Sequence, residues 1–271
     1  MNIDDKMIAM VALRDSVVID PVAVAERVKT MFPWLAASVG VVPVEASQLD
    51  SCIIPIGDGI VPLIQMHFPI PEETLAPAIA KCWLWSEAKQ AFDKSRAHII
   101  VSALGPVNDV RLMRTNAVRV TCVTVALAEM LPVTGIYWST AENVLAPEFF
   151  IAEAKEAGED GTPFDLWVAT HFYPGPRYEQ NQEIIARTTG LSAFIGREIE
   201  CGPYMKEPGE IGPVVRSVGW YTLDRKVTYT GGEMIGTEEN TIGRILLDRT
   251  TVGVDAGAVY RVVLGEGTDG E

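Results

Sequence analysis

The pattern of apolar and polar positions divides the first hundred residues into six elements. A continuous apolar run at 7–13 predicts a buried strand, and apolar residues at helical spacing in 21–32 predict a helix capped by Asp20. The remaining elements are a strand at 38–46, a hairpin at 53–68, a helix at 72–94 and a strand at 97–104. This strand-helix-strand-strand-helix-strand order is typical of ferredoxin-like folds.

The predicted helix at 72–94 starts with Glu72 and Glu73, since acidic residues favour a helix N-terminus. Its apolar face carries two tryptophans, which we expect to fill the core between helix and sheet. A binding platform is the alternative role for such aromatic side chains. The face comprises Leu75, Ile79, Cys82, Trp83, Trp85 and Phe92.

The segment 108–131 fits two interpretations. The run VRVTCVTVAL at 118–127 is rich in β-branched residues, which favours a strand. The apolar residues of the whole segment fall on one helical stripe, and the segment is too long for a single strand. We therefore predict a helix.

The second half is predicted to repeat the element order of the first. Its strands are expected at 134–139, 164–173, 187–200, 244–252 and 259–264, and its helices at 147–157 and within 207–223. The prediction is an α+β fold of two ferredoxin-like (βαββαβ) layers with mostly antiparallel sheets, bridged by the helix at 108–131. The expected domains are an N-terminal half at 1–104, a linking helix with a C-terminal half at 105–264, and a mobile tail at 265–271.

The net charge of the chain argues against binding to nucleic acids and to anionic membrane surfaces. Of the 271 residues, 36 are acidic and 22 are basic, which gives a formal net charge of −14. Nucleic-acid binding needs concentrated Lys and Arg, and an anionic membrane surface repels an acidic protein, so we expect neither partner. A basic protein partner suits the charge, and plain solubility is the alternative explanation.

The cysteines and the apolar segments indicate the compartment. The four cysteines, Cys52, Cys82, Cys122 and Cys201, lack the paired spacing of a zinc or redox site. The first residues are acidic and polar, unlike a secretory signal, and no apolar run is long enough to cross a membrane. We expect a cytoplasmic protein with free, mostly buried thiols and with neither metal nor cofactor.

No motif of a common catalytic site is present, so no catalytic residue is assigned. The glycine-rich stretch GGEMIGT at 231–237 lacks the lysine of a phosphate-binding loop. No G-x-G-x-x-G follows the first predicted strand, as a dinucleotide fingerprint requires, and the serine elbow of α/β-hydrolases does not occur. The histidines belong to or adjoin predicted strands, where a structural role is usual, and a pairing of Cys82 with His98 stays open. They are His67, His98 and His171.

The end of the predicted strand at 164–173 carries the preferred surface site. Aromatic, basic and turn residues follow one another there, and loops at strand ends commonly carry functional residues. The candidates are His171, Tyr173, Arg177 and Tyr178, together with Glu198 and Glu200 on a neighbouring predicted strand.

Glu198 and Glu200 are two residues apart, so their side chains share a face of a strand. If both were buried, the like charges would repel and one carboxyl would hold a proton. We predict instead that both face solvent and that Leu191, Phe194 and Ile199 face the core.

Several blocks of the second half follow one another in a recognisable order. They lie at 135–138 (GIYW), 164–168 (FDLWV), 189–200 (TGL, Phe194, Gly196, EIE), 240–243 (NTIG) and 254–260 (VDAGAVY). In these blocks the chain resembles the bacterial domain-of-unknown-function family numbered 4261. The block at 189–200 is also similar to domains related to suppressor of fused, some of which are associated with neutralising bacterial toxins. The resemblance implies an architecture and no catalytic residues, and the glycine-rich run at 231–243 is longer than the family pattern.

Three functions are compatible with these observations. The favoured one is a non-catalytic protein-binding module, such as an immunity or accessory factor of a toxin or secretion locus. The second is an enzyme with a site near His171 and Glu198. The third is an oligomeric scaffold that pairs through exposed sheet edges.

Overall fold

The computed structural model describes residues 7–42, 50–103, 110–158, 161–236, 241–252 and 257–265. Within them the protein is α+β, with two six-stranded, mostly antiparallel sheets, which confirms the prediction at this level. Contacts divide the chain into two compact units, Met1–Trp167 and Val168–Glu271. The boundary predicted after residue 104 differs from this division, because the following helix and strands belong to the first unit by their contacts.

In its described residues the first unit has one sheet and six α-helices. Its strands are β1 (Ile8–Leu13), β2 (Ser51–Ile56), β3 (Gly59–Met66), β4 (Ala97–Ser102), β5 (Val133–Trp138) and β6 (Asn143–Leu145). Its helices are α1 (Pro21–Met31), α2 (Glu72–Lys81), α3 (Ala88–Phe92), α4 (Val110–Met130), α5 (Pro147–Ala154) and α6 (Phe164–Trp167).

The strand order in the first sheet is β2-β3-β4-β1-β5-β6, and each neighbouring pair is antiparallel. A βαββαβ succession is present over 7–104, but its two middle strands are the hairpin arms β2 and β3 and not the strand predicted at 38–46, and the ferredoxin-like arrangement is not confirmed. In a split βαβ unit the strands joined by a helix are parallel and have another strand between them. Here β3 and β4, which α2 and α3 connect, are antiparallel neighbours.

Part of the predicted strand at 38–46 is replaced by helical structure. Pro33–Ser38 forms a 3₁₀ helix directly after α1, and Val39 makes an isolated bridge to Ile56. The remainder of the predicted strand, at 43–46, lies outside the described residues.

The two faces of the first sheet differ in how completely they are covered. One face carries fully buried side chains such as Val11, Leu63 and Ile99. On the opposite face α2 and α3 pack over β1, β5 and β6. Over β2 and β3 that opposite face leaves Ile60 and Ile64 exposed. The buried cluster under α2 and α3 consists of Ala12, Ile70, Leu75, Ala78, Ala88, Phe92, Tyr137 and Val144.

The helix predicted at 72–94 is interrupted at 82–87, between α2 and α3. The prediction that Trp83 fills the core is wrong, since its side chain is 59% exposed. A continuous helix would place Trp83 one turn after Ile79 on the core face. Because α2 ends before residue 82, that spacing no longer sets the direction of the tryptophan.

The helical interpretation of 108–131 is confirmed by α4. Residues 119–128 are buried at every position. A helix that is surrounded on all sides has no polar face, and this explains why its sequence could be mistaken for a strand. The helix packs against α1, α5 and the first sheet, so it is part of the first unit. The start of the predicted helix, at 108–109, lies outside the described residues.

The second unit contains the other sheet. Its strands are β7 (Ala169–Pro174), β8 (Ile184–Thr189), β9 (Glu198–Tyr204), β10 (Met234–Gly236), β11 (Thr241–Arg249) and β12 (Ala258–Leu264). Its helices are α7 (Tyr178–Asn181), α8 (Ser192–Ile195) and α9 (Pro208–Arg225). The strand order is β10-β11-β12-β9-β8-β7, in which β12 and β9 are parallel and the other neighbours are antiparallel.

The predicted repeat of the first half is not found in the second unit. Strands β5 and β6 belong to the first sheet, and the predicted strand at 164–173 begins with helix α6. The predicted strand at 187–200 is divided among β8, α8 and β9. Of the predicted tail at 265–271, the structure describes Gly265 alone.

Helix α9 packs closely on β7, β8 and β9. A Cβ atom at Gly212 would lie 2.9 Å from the ring of Phe172, so the missing side chain permits this close approach. Side chains alternate along a strand, and His171 therefore points to the opposite face from Phe172. The candidate functional residues lie on that opposite face and in the turns beside it.

Candidate functional site

The structure does not bring the six candidate residues to one surface. Three lie at the end of β7 and in the turn after it, with Tyr173 half-buried and both Arg177 and Tyr178 exposed. The other three are buried, so the prediction that Glu198 and Glu200 face solvent is wrong. His171, Glu198 and Glu200 are 3%, 6% and 0% exposed.

The turn after β7 is closed by Glu183, a residue that the sequence analysis did not identify. Its carboxylate accepts a hydrogen bond from the Arg177 amide at 3.2 Å and forms an ion pair with Arg177 Nη2 at 2.5 Å. The hydrogen bond from the Arg177 side chain holds the pKa of Glu183 below its ordinary value of 4.5. Glu183 thus holds the side chain of Arg177 in the turn. Tyr178 is 46% exposed.

This pair makes a contribution to stability that depends on pH. Because the pKa of Glu183 is lower in the folded protein, the contribution is present above pH 4.5 and is lost as the pH falls through the folded-state pKa. We expect Glu183→Gln to lower the urea midpoint at neutral pH and to have a smaller effect at about pH 3. Urea unfolding of both proteins at the two pH values measures this, and an undiminished difference in acid would contradict it.

Glu198 organises the bend between β8 and α8. Its carboxylate accepts four hydrogen bonds, two on each oxygen, which fills its lone-pair positions. The donors are the Thr188 hydroxyl at 2.6 Å and the amides of Gly190, Leu191 and Ser192 at 3.0, 3.2 and 3.0 Å. Gly190 has φ +99°, a left-handed conformation that glycine adopts readily.

Glu200 connects β9 to the segment after β11 and to β12. Its Oε1 accepts from Arg261 Nη1 at 2.7 Å, and from the hydroxyl and amide of Thr251 at 2.8 and 3.3 Å. Its Oε2 accepts from the Thr250 hydroxyl at 2.5 Å. This fully buried carboxylate therefore also has four donors.

Arg261 holds three further acceptors around Glu200. Its Nε donates to Asp248 Oδ2 at 2.5 Å, and its Nη1 donates to the Gly202 carbonyl at 3.2 Å. Its Nη2 donates to the Arg249 carbonyl at 2.7 Å. The positive charge and the N–H donors of the Arg261 guanidinium thus have carboxylate and carbonyl partners, as the burial of this residue requires.

A row of ionisable side chains crosses the second sheet. Glu200 is opposite Arg261 on β12 and opposite Arg187 on β8, and Arg187 is opposite His171 on β7. Directly opposed residues point to the same face of a sheet. The row therefore spans β7, β8, β9 and β12 on the face away from α9.

The bonding in this row favours a structural role. A general base needs an acceptor position within hydrogen-bond reach of the substrate proton. The oxygens of Glu198 and Glu200 are occupied by donors of the protein itself. The geometry thus gives no support to an enzyme site built on these carboxylates.

His98 and Cys82 have different partners. His98 Nδ1 lies 2.8 Å from the Phe68 carbonyl oxygen, so Nδ1 carries the proton that is donated there. Burial lowers the pKa of His98, which keeps the imidazole neutral near pH 7. The Cys82 thiol lies 3.9 and 3.8 Å from the carbonyl oxygens of Trp85 and Val144. The pairing that the sequence left open is therefore not formed.

A cluster of Ser16, His67 and Asp50 was missed by the sequence analysis. His67 Nδ1 lies 3.0 Å from Ser16 Oγ, and His67 Nε2 lies 2.9 Å from Asp50 Oδ1. The three residues come from separate segments, so their spacing in the sequence does not indicate that they are close in the structure. Because the side chains of His67 and Asp50 are 54% and 66% exposed, water competes for these bonds. We interpret the cluster as a surface contact among three segments of the chain.

The glycine-rich stretch at 231–236 already holds a carboxylate of its own. Glu233 accepts from the amides of Thr230 and Gly231 at 2.6 and 2.8 Å. These hydrogen bonds, led by the one from the Thr230 amide, lower the pKa of Glu233 to about 2. The amides that a phosphate would need are therefore occupied.

The thiols show no sign of activation. Burial raises the pKa of Cys52 to about 11 and that of Cys201 to about 12, so both stay protonated at neutral pH. In the described ranges, no group of three or more His, Cys, Asp or Glu side chains is placed to hold a metal ion. None of the helices there combines the length and apolarity needed to cross a membrane.

An exposed apolar pair projects from the segment between α2 and α3. Trp83 and Leu84 are 59% and 64% exposed. The residues on either side, Cys82 and Trp85, pack against the buried cluster of the first unit. Two anchored neighbours thus flank the Trp83–Leu84 pair, whose side chains face outward.

Acidic side chains surround the Trp83–Leu84 pair in the sequence. The range 72–94 contains four acidic and three basic residues. Lys81 pairs with Glu142 at 2.6 Å, and Lys89 pairs with Asp93 at 2.8 Å. The other charged side chains are all exposed and leave an excess of two negative charges. They are Glu72, Glu73, Glu87 and Lys94.

No protein-family model, no curated protein and no solved structure matches this chain. The resemblance to the domain-of-unknown-function family numbered 4261 therefore stays a prediction. Function must be argued from the site geometry and the distribution of charge.

Proposed function

We propose that this protein is a non-catalytic binding module that captures a basic protein through the Trp83–Leu84 pair. The observation that carries the proposal is the exposure of these two side chains between anchored neighbours. Tryptophan is enriched among the residues that dominate binding energy at protein interfaces. A segment whose flanking residues are anchored before binding loses less conformational entropy when the complex forms.

The charge supports a basic partner. The whole chain has a net charge of −14, and the exposed groups of 72–94 have an acidic excess. Helix α2 has ten residues, so Glu72 and Glu73 lie about 15 Å along the helix from the Trp83–Leu84 pair. That distance fits within an interface of about 800 Å² per partner. Complementary charge at the rim raises the association rate and excludes acidic competitors.

The proposal extends to the biological setting. An acidic protein that binds a basic one suits an immunity or accessory factor of a bacterial toxin or secretion locus. The resemblance to toxin-neutralising domains related to suppressor of fused supports the same role. Free cysteines that are mostly buried favour the reducing cytoplasm as the compartment.

A pull-down from the source cell with matched variants tests the function. We expect the unmodified chain to retain a basic protein that roughly 0.5 M salt releases, since exposed charge pairs are screened at that ionic strength. The double substitution Trp83→Ala with Leu84→Ala should weaken binding about 30-fold or more, the effect of losing one dominant contact.

Trp220→Ala is the control, because Trp220 is another exposed tryptophan, at 39%, on α9. It should retain the partner. Equal retention by all three proteins would show that the pair is not the binding site. Recovery of a small metabolite without any protein would contradict the binding function itself.

A further inference from the structure

The first sheet has a second apolar surface that is distinct from the Trp83–Leu84 pair. It lies on β2, β3 and β4, on the face that α2 and α3 cover elsewhere. Ile60 and Ile64 are 36% and 41% exposed there, and the neighbouring side chains are half-buried. We name it the apolar sheet face, and it consists of Ile53, Pro55, Ile60, Pro62, Ile64 and Ile100.

The strand register shows that these side chains form one continuous surface. Ile53 is opposite Pro62, and Pro55 is opposite Ile60. Ile64 is opposite Ile100 on β4. Opposed residues in antiparallel strands have Cβ atoms about 5 Å apart on the same face. A contiguous apolar surface of this kind on a folded protein marks an interaction site.

The apolar sheet face differs from the rest of the molecule in charge. None of its six residues is ionisable, although the chain has a net charge of −14. Two copies of such a chain repel each other wherever their carboxylates meet. They can approach over these six residues without removing water from a carboxylate of the face itself. A basic partner gains no electrostatic attraction here, which sets this face apart from the surroundings of the Trp83–Leu84 pair.

We propose that the apolar sheet face is a self-association surface on which a second copy of this chain docks. Two identical faces related by a twofold axis form a closed dimer, in which each copy uses the same residues. Stacked sheets pack about 10 Å apart with interdigitated side chains. The proposal is independent of partner capture, since it uses another surface of the first unit.

The dependence on salt distinguishes the two interactions. Salt screens the repulsion between two acidic copies, so self-association should strengthen as the ionic strength rises. Capture of a basic protein should weaken under the same conditions. The apolar sheet face is small, so we expect a reversible dimer with a dissociation constant of roughly 1–100 µM.

Sedimentation of the full chain across this concentration range tests the proposal. The unmodified protein should pass from monomer to dimer, and further toward dimer at high salt. Ile64→Asp and Ile60→Asp should each remain monomeric, because docking would then bury an unpaired carboxylate from each copy. Ile242→Asp is the matched control, since Ile242 is a similarly exposed isoleucine, at 44%, on β11 of the second unit.

Ile242→Asp should dimerise as the unmodified protein does, and so should the variant that lacks Trp83 and Leu84. A protein that stays monomeric at roughly 500 µM would overturn the proposal, as would equal dimerisation of Ile64→Asp and Ile242→Asp. Neither result would affect the pull-down. Circular dichroism of each variant confirms that the comparison is made between folded proteins.

Discussion

Replacement of Glu200 by Gln is expected to lower the free energy of unfolding by about 3–5 kcal/mol. The substitution preserves size but removes the charge that faces Arg261 Nη1 at 2.7 Å in a buried setting. The remaining carboxylate partner, Asp248, is 48% exposed and compensates the guanidinium only in part. Arg261→Met should cost a similar amount, because it leaves the buried Glu200 without its cation.

A double-mutant cycle measured by urea unfolding tests this coupling. The double substitution of Glu200 and Arg261 should cost clearly less than the sum of the single substitutions, since neither then leaves an unpaired charge. Asp93→Asn is the control, because Asp93 pairs with Lys89 at the surface and should contribute less than about 1 kcal/mol. Additive single effects would mean that Glu200 and Arg261 act independently.

Removal of the Glu198 carboxylate should cost about 3 kcal/mol or more. Glu198→Ala leaves the amides of Gly190, Leu191 and Ser192 and the hydroxyl of Thr188 without their acceptor. Each buried donor that loses its partner costs about 1–3 kcal/mol, and water that enters the space recovers part of this. Glu198→Gln should have a smaller effect, because one amide oxygen still accepts.

Hydrogen exchange adds a local measurement to the unfolding experiment. The amides of Gly190, Leu191 and Ser192 should exchange faster in Glu198→Ala, while amides of α9 should change only as far as global stability does. Glu87→Ala, at an exposed position, provides the control and should change stability by less than about 0.5 kcal/mol. If both substitutions had the same small effect, the four hydrogen bonds of Glu198 would not stabilise the fold.

Local sequence signals identified several elements well. The Asp20-Pro21 pair predicted the start of α1, and Asp20 Oδ1 accepts from the amides of Val22 and Ala23 at 2.9 and 3.2 Å. The run Gly57-Asp58-Gly59, a turn signal inside the hairpin predicted at 53–68, connects β2 and β3 in the structure. In both cases the signal and the structure it sets lie within a few residues, so no tertiary information was needed.

The burial of the Glu198 and Glu200 carboxylates could not be predicted from the local sequence. Alternation along β9 correctly predicted that Ile199 is buried, and it gave Glu198 and Glu200 a common face. It could not show that this face is also buried, since the donors to Glu200 lie 50–61 residues later in the chain. The two carboxylates also have separate sets of donors, so they do not form the shared-proton pair considered from the sequence.

The strand order was the least predictable feature of the fold. The sequence gives the succession of elements, but the same succession permits several pairings. Strands β5 and β6 extend the first sheet, and the long connection between β9 and β12 places two distant strands side by side. Tertiary contacts decided these pairings, as they did the outward direction of Trp83.

The position of β12 has a consequence for synthesis of the protein. It is the last of the described strands in chain order, yet it lies between β11 and β9 within the second sheet. During synthesis on the ribosome, β9, β8 and β7 can therefore pair with one another early. The edge of β9 that later pairs with β12 remains unpaired during this time. Until Leu264 has emerged, that edge is open to other nascent chains. The time between translation of β9 and β12 is thus the interval in which the second sheet is most open to mispairing.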